Sequence, residues 1–483
     1  MFLPRALLGL IASAICGLSL AQTLPPEVLA ALSRAKVPTD AVTLLVVDAE
    51  GRAAPRLSHR AEVPVNPASV MKLVTTYAAL DLLGPAYSWR TPVYLDGTVR
   101  QGTLHGNLII KGQGDPKLVV ERLWLLLRRV QGLGINRIEG DIVLDSSAFA
   151  PIETDPASFD GEPLRPYNAT PDALLLNFKS VLMTFVPDRT RASASVQFEP
   201  ALLAVQMQKS VPLTGTPGSP CGDYRSALKA DFSDPAQIRF NGSYPVNCGE
   251  KLWAVAYADP PSYNRRAVAA LWQELGGTLG GTVRQGRLPE ASADSQKPAL
   301  LPAFEVSSPT LAELVRDTNK FSNNVMAQQI FLTLSLPGPG ANANAAGASR
   351  EASREVLRRW WQERIGGDAA PLIENGAGLS RNERISAQAL ARLLQHAYRS
   401  PLMPELMSSL PVSGVDGTLK RSHSAAGSAH LKTGSLRDVT ALAGYVHANS
   451  GKRYCLVAIA NHPNAPAVRP AFEALLDWAL KDN

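Results

Sequence analysis

Ser69 and Lys72 stand three residues apart in Ser69-Val-Met-Lys72, a spacing that brings both side chains to one face of a helix. A serine hydroxyl is a poor nucleophile until a base takes its proton, and a lysine one turn on is such a base if it is neutral part of the time. Desolvation and neighbouring cations favour the neutral amine. Two further words follow in the chain, Ser322-Asn-Asn324 and Lys432-Thr-Gly434. Lys432 would supply a cation beside Lys72, Ser322 would relay a proton between Lys72 and a leaving amine, and Asn324 would orient an amide. Lys432 and Thr433 suit a carboxylate, one by charge and one by hydrogen bond. Gly434 permits close approach of a ligand to the strand backbone. The N–H groups of Ser69 and Ser435 would form an oxyanion hole, the first aided by its helix N-terminus. Alone, each word is common as a capped helix, a polar turn or a loop. Their order along one chain is what suggests acyl transfer, with Ser69, Lys72, Ser322, Asn324 and Lys432 catalytic and Thr433, Gly434 and Ser435 contacting substrate.

In that order the three words resemble the active-site set of the penicillin-binding proteins and the class A β-lactamases. The words around them resemble one branch, the class C low-molecular-mass D-Ala-D-Ala carboxypeptidases of peptidase family S13. They are Pro67-Ala-Ser-Val-Met-Lys-Leu-Val-Thr-Thr76, Gly106-Asn-Leu-Ile-Ile-Lys-Gly-Gln-Gly-Asp-Pro116, Asn319-Lys-Phe-Ser-Asn-Asn-Val-Met-Ala-Gln328, Leu410-Pro-Val-Ser-Gly-Val-Asp-Gly-Thr-Leu419 and Lys432-Thr-Gly-Ser-Leu436, followed by Ala441-Leu-Ala-Gly-Tyr445. The resemblance covers nearly the whole chain after its N-terminal segment. It implies an α+β fold: a discontinuous β-lactamase/transpeptidase-like domain, an antiparallel sheet flanked by helices, with inserted, nested β-rich domains. The implied activity is that of a serine D-alanyl-D-alanine carboxypeptidase, with DD-endopeptidase action, on peptidoglycan stem peptides ending in D-Ala-D-Ala. β-Lactam antibiotics would be covalent inhibitors, and neither cofactor nor metal is implied. Two departures matter. Where the family pattern has Asp-Gly-Ser-Gly-Leu-Ser, this chain has Asn375-Gly-Ala-Gly-Leu-Ser380, which keeps the glycines of the turn but not its acid and first hydroxyl. Between Ser322 and Lys432 there is also no Glu-x-x-Leu-Asn segment, the feature by which class A β-lactamases activate water. The alternatives are a β-lactamase, or a catalytically silent β-lactam- or wall-binding protein on the same fold.

The elements that must carry these residues are legible in outline. Ala41 to Asp48 reads as a strand, and Ser69 to Leu83 as a helix that Gly84-Pro85 ends. From Lys72 to Ser322 there are 250 residues, and between about 91 and 289 short strand-like runs such as Asn107-Leu-Ile-Ile110, Gly140 to Leu144 and Ala194 to Phe198 are separated by Gly, Pro, Asn and Asp. Helical patterns near Leu118 to Leu133 and Tyr263 to Leu275 interrupt them. The expected organisation is thus residues 22–90 and 290–483 for the catalytic domain and 91–289 for the insertion, with an inner unit near 178–250. Beyond it, Pro309 to Leu334 and Ser349 to Trp361 read as long helices joined by a Pro/Gly/Ala/Asn loop. Val439 to His447 and Tyr454 to Ile459 read as strands, and Pro470 to Leu480 as a closing helix.

Composition narrows the compartment. With 45% hydrophobic and 19% charged residues, the 483-residue chain can bury a real core, and its length argues for more than one domain. Arg5, the apolar run Ala6 to Leu20, and small Ser19 and Ala21 read as a secretory signal spanning residues 1–21. The run is short for a bilayer span and broken by Gly and Ser, so no transmembrane anchor is expected after cleavage, and the expected location is the periplasm or cell envelope. The net charge is +6, and +5 once Arg5 is removed; the basic residues are scattered, which argues against nucleic acid as a partner. Cys221 and Cys248 lie in a Pro/Gly-rich stretch and are an expected disulfide in an oxidising compartment, whereas Cys455 sits in an apolar strand-like run and is expected to be buried and inert. Seven histidines occur without metal-ligand spacing.

Overall fold

The structure is a computed structural model and describes residues 23–152, 155–216, 218–289, 299–336, 347–367 and 370–482. The expected signal segment and the expected loop after Leu336 lie outside the described residues. No helix among the described residues is long and apolar enough to cross a membrane.

Both ends of the chain build one five-stranded antiparallel sheet, in the order Ala429–Leu436, Val439–His447, Arg453–Asn461, Val42–Asp48, Leu57–His59. Side chains alternate across a strand, so Leu44 and Val46 serve one face and Leu45 and Val47 the other. Helices Pro26–Ala35 and Arg469–Lys481 cover the first face with Val28, Leu32, Phe472, Leu475 and Leu476. Against the second face lie helix Lys72–Leu83, through Leu73, Val74 and Tyr77, and helix Ala387–Arg399, through Leu390, Leu393 and Leu394. Because both faces are covered, Val42–Val47 and Tyr454–Ala460 are buried throughout, which is why these strands read as unbroken apolar runs.

The chain leaves this body at strand Arg90–Arg100 and returns at strand Phe304–Ser307, and these two pair antiparallel with Arg90 opposite Ser307. The two belong to a seven-stranded mixed sheet that includes Thr103–Lys111 and Ile142–Asp145 in parallel register, and helices Val120–Gly132 and Pro260–Glu274 lie between them in the chain. A second, five-stranded sheet runs Tyr244–Pro245, Ser210–Thr214, Ser193–Glu199, Ser180–Asp188, Lys251–Ala256, and a small three-stranded sheet stands beside it. Leu126, Leu127, Ile142, Phe185, Tyr244 and Trp272 belong to a single core that runs through this body, separate from the cores around the first sheet. Cys221 and Cys248 are bonded here, S–S 1.99 Å, and Cys455 is a buried thiol in strand Arg453–Asn461 of the first sheet.

One expectation is corrected. The single helix read over Pro309 to Leu334 is two helices, Leu311–Lys320 and Asn324–Thr333. Ser322 adopts φ +55°, which no α-helix accommodates, and the Asn323 side chain accepts from Met326 N at 3.0 Å to cap the second helix. The core residues on either side, Val315 and Met326, keep helical phase across a polar stretch, so the pattern did not reveal the break. Helix Lys72–Leu83 is likewise preceded by a separate turn of 3-10 helix, Ala68–Met71, which carries Ser69.

Candidate active site

Ser69 sits in a turn clasped from two sides by backbone. Ala68, just before it, has φ +47°, a left-handed conformation that a side chain disfavours. Asn66 holds this geometry: its Oδ1 accepts from Ala68 N at 2.9 Å and its Nδ2 donates to Ser380 O at 2.8 Å. Asn461, at the end of a central strand, accepts from Asn66 N at 2.8 Å and donates to Asn66 O at 2.9 Å. On one side Gly378 stands so near that a Cβ there would meet Ala68 O at 2.0 Å; on the other a Cβ on Gly434 would meet Pro67 O at 2.6 Å and Ser69 N at 3.1 Å. Glycine is required at both places because backbone must meet backbone.

Lys72 is fully buried, and its Nζ contacts Ser69 Oγ at 2.8 Å, Asn324 Oδ1 at 2.6 Å and Ala377 O at 2.5 Å. Burial, together with the charge of Lys432, pushes its pKa well below the ordinary lysine value, while Glu383 opposes the shift. A neutral amine has two N–H groups and one lone pair. The two partners that can only accept, Asn324 Oδ1 and Ala377 O, take the N–H groups, and the lone pair is left for the Ser69 hydroxyl. This is the arrangement of a base poised on a nucleophile.

The second lysine is built the same way. Lys432, also fully buried, donates to Ser322 Oγ at 2.8 Å and to Thr433 O at 2.7 Å, and burial pushes its pKa down to about 7. The left-handed Ser322 turns its hydroxyl toward this lysine between the two helices. Thr433 shares a 2.7 Å hydroxyl contact with Thr418, from the loop ahead of the strand. Strand Ala429–Leu436 is at the edge of its sheet, so its free side faces the cleft. That cleft, of about 460 Å³, is lined by Ser69, Ser322, Thr418, Thr433, Gly434 and Ser435, among others.

The structure therefore gathers Ser69, Lys72, Ser322, Asn324, Lys432, Thr433, Gly434 and Ser435 at one place, from three segments distant in sequence. The disulfide pair lies elsewhere, in the body between residues 91 and 289. Sequence reasoning missed Ala377, Thr418, Asn66, Asn461 and Glu383. The turn that holds Ala377 was visible only as a glycine pattern. Its side chains now have structural roles: Asn375 accepts from Ala377 N at 2.9 Å and donates to Leu379 O at 2.8 Å, and Ser380 Oγ accepts from Asn382 N at 2.9 Å and donates to Glu374. Among the described residues no three His, Cys, Asp or Glu side chains are grouped as a metal would need.

Known proteins share this arrangement of the chain. The chain is similar to the D-alanyl-D-alanine carboxypeptidase DacB of Haemophilus influenzae, 24% identical over 399 residues that cover 82% of this chain and 80% of that protein. It is similar also to a D-alanyl-D-alanine carboxypeptidase of Actinomadura sp., 29% identical over 404 residues, 80% of this chain and 71% of that one. In fold it is similar to the crystal structure of penicillin binding protein 4 of Haemophilus influenzae, with a TM-score of 0.71 and 21% identity over 94% of this chain and 99% of that one. A predatory endopeptidase of Bdellovibrio bacteriovorus, solved with its immunity protein, is similar at a TM-score of 0.53 and 15% identity over 92% and 94% of the two chains. Residues 26–481 match the D-Ala-D-Ala carboxypeptidase 3 (S13) family, and the chain belongs to that family.

Proposed function

We propose that this protein is a serine D-Ala-D-Ala carboxypeptidase with DD-endopeptidase action on peptidoglycan stem peptides. The observation that carries this reading is the buried Lys72 amine, whose two acceptor-only partners leave its lone pair for Ser69 Oγ. Lys72 takes the hydroxyl proton as Ser69 Oγ attacks the carbonyl carbon between two D-alanines. The N–H groups of Ser69 and Ser435 receive the negative charge that develops on the carbonyl oxygen. As the C–N bond breaks, the proton passes from Lys72 through Ser322 to the leaving nitrogen. Asn324 orients the peptide, and Lys432 with Thr433 engages the terminal carboxylate. Water then resolves the acyl-enzyme with the same base. In a cross-link the leaving group is the amine of a second stem peptide and the chemistry is unchanged. A β-lactam acylates Ser69 as a substrate does.

The division of labour follows the chain: residues 22–90 and 290–483 hold the chemistry, and 91–289, with an inner unit near 178–250, positions substrate or braces the site. Export by a cleaved signal at residues 1–21 to the periplasm or cell envelope suits both the substrate and the Cys221–Cys248 bond. Incubation with benzylpenicillin, intact-mass measurement and peptide mapping test the reading, together with D-alanine release from muropeptides ending in D-Ala-D-Ala. The expected result is one adduct, on Ser69, and release that benzylpenicillin blocks. An adduct on another serine, or none, overturns it.

A further inference from the structure

Among the described residues no cation is bonded to the buried carboxylate of Glu383. It is fully buried, 0% exposed, and its Oε1 accepts from two successive backbone groups, Glu374 N at 2.9 Å and Asn375 N at 3.1 Å. Its Oε2 has no hydrogen-bond partner among the described residues. Burying a charge in this way is costly, so a carboxylate at such a place needs a reason. The two N–H groups open the turn that follows. In that turn Gly376 O accepts from Thr75 Oγ1 at 2.7 Å and Ala377 O accepts from Lys72 Nζ at 2.5 Å, so both carbonyls face helix Lys72–Leu83. Glu383 thus grips one end of a turn whose other end holds the lysine.

We infer that Glu383 is a positioning residue for Lys72: its side chain fixes the Glu374–Ala377 turn that presents the Ala377 carbonyl, and its charge, where it is ionised, acts on the lysine. This rests on the reading of Ser69 and Lys72 given above. The charges that bear on the pair come from several elements: Lys72 on its helix, Lys432 on the edge strand, and Glu374 in the turn, itself opposed by Arg350 of helix Arg350–Trp360. Burial pushes Glu383 up to about 7, against the pull of the two backbone N–H groups and of Lys72. Ionised Glu383 favours the protonated lysine, so taking that charge away lets Lys72 reach its neutral, basic form at lower pH.

The experiment compares Glu383→Gln and Glu383→Ala in the mature protein, following the second-order rate of benzylpenicillin acylation from pH 5 to 9, with thermal unfolding alongside. Glutamine keeps an acceptor for both N–H groups and removes the charge; alanine removes both. The expected result for E383Q is a folded protein whose acid limb lies about one pH unit lower than in the wild type. In E383A the plateau rate falls tenfold or more, further than in E383Q, because the turn has lost its acceptor. Restoring a carboxylate within the same turn, with Asn375→Asp in the E383Q background, moves the limb back toward the wild-type pH. Wild-type limbs and plateaus in both variants overturn the inference. So does an E383Q that cannot fold, since the carboxylate would then serve the fold and not the lysine. Failure of the wild type itself to acylate at Ser69 would instead overturn the functional reading, so the two failures are distinguishable.

Discussion

A single methyl group at Gly434 should disable the site while leaving the fold in place. Added there, it would stand 2.6 Å from Pro67 O and 3.1 Å from Ser69 N and Val70 N, where ordinary contact begins at 3.4 Å. All three atoms are backbone, so no rotamer change relieves the clash, and the strand and the serine turn must part by about 0.8 Å, the difference between 3.4 and 2.6 Å. Neither partner moves easily. The strand is registered against its neighbour from Ala429↔Val446 to Leu436↔Val439, and the turn is tied to Asn66 and through it to Asn461. The displacement falls between Ser69 N and Ser435 N, the two proposed oxyanion donors. A misplacement of about 1 Å costs about 100-fold, and loss of one oxyanion donor about 100- to 1000-fold, or about 2.7–4 kcal/mol. Gly434→Ala should therefore slow acylation by benzylpenicillin about 100- to 1000-fold, measured by timed intact-mass spectra below saturation. Its unfolding temperature should fall by only a few degrees, because the strand's core side chains, Ala429 and Leu431, are untouched. A folded variant that acylates within threefold of the wild type would refute the placement of the oxyanion hole.

Stability should depend on pH through Lys432. Folded, its pKa is pushed down to about 7; in the unfolded chain it is about 10.4. Across that window the unfolded chain binds a proton that the folded protein has released, so stability rises with pH from 7 to 9, while below 7 the cost of burying the charge is fully present. Lys432→Met should weaken that rise, with Lys72 still contributing in the same direction, and should be at least as stable as the wild type at pH 6 while losing acylation; equal slopes in denaturant titrations at pH 7, 8 and 9 would refute this. Closing a loop between residues 27 apart contributes about 3–4 kcal/mol in the chain-entropy account. Replacing both Cys221 and Cys248 by serine should cost about that much stability in the body they staple, yet leave Ser69 acylation within twofold; a tenfold loss of acylation in a folded variant would contradict the separation of the disulfide from the chemistry.

The parts of this site that could be read in the sequence are those that depend on local spacing. Ser69 and Lys72 are one helical step apart, and Lys432, Thr433 and Gly434 are consecutive on a strand, so residue type and interval carry the information. Ser322 was legible as a word but not as a conformation, because the core residues Val315 and Met326 keep helical phase on either side of the polar stretch that holds the left-handed residue. Ala377 contributes a carbonyl, which any residue possesses, and Glu383 reaches Lys72's neighbourhood from a point 311 positions later in the chain; neither leaves a pattern. In the fold, strands buried on both faces announced themselves as apolar runs. The parallel pairing of Leu108 with Ile142 and of Ile142 with Val283 did not, because such contacts are long in sequence and set by packing.

Among the described residues, none that lines the cleft around Ser69 comes from residues 91–289, yet that body is not an appendage on a free hinge. The strands that lead into and out of it pair side by side, Arg90 opposite Ser307, and Ser308 N donates to Trp89 O at 2.9 Å beside them. Beyond that neck it grips helix Asn324–Thr333. Gln329 donates to Gly114 O at 3.2 Å and Asp172 O at 2.9 Å and accepts from Asp172 N at 3.0 Å. Lys117 pairs with Asp317 at 2.5 Å on the preceding helix. The helix held at Gln329 is the one whose first residue, Asn324, accepts from Lys72. A helix is stiff over ten residues, so a shift of the body against Gln329 is carried along the axis to Asn324, and an ångström there is enough to part it from the lysine. The contacts thus join the body to the helix that carries Asn324, with none of its described residues lining the cleft.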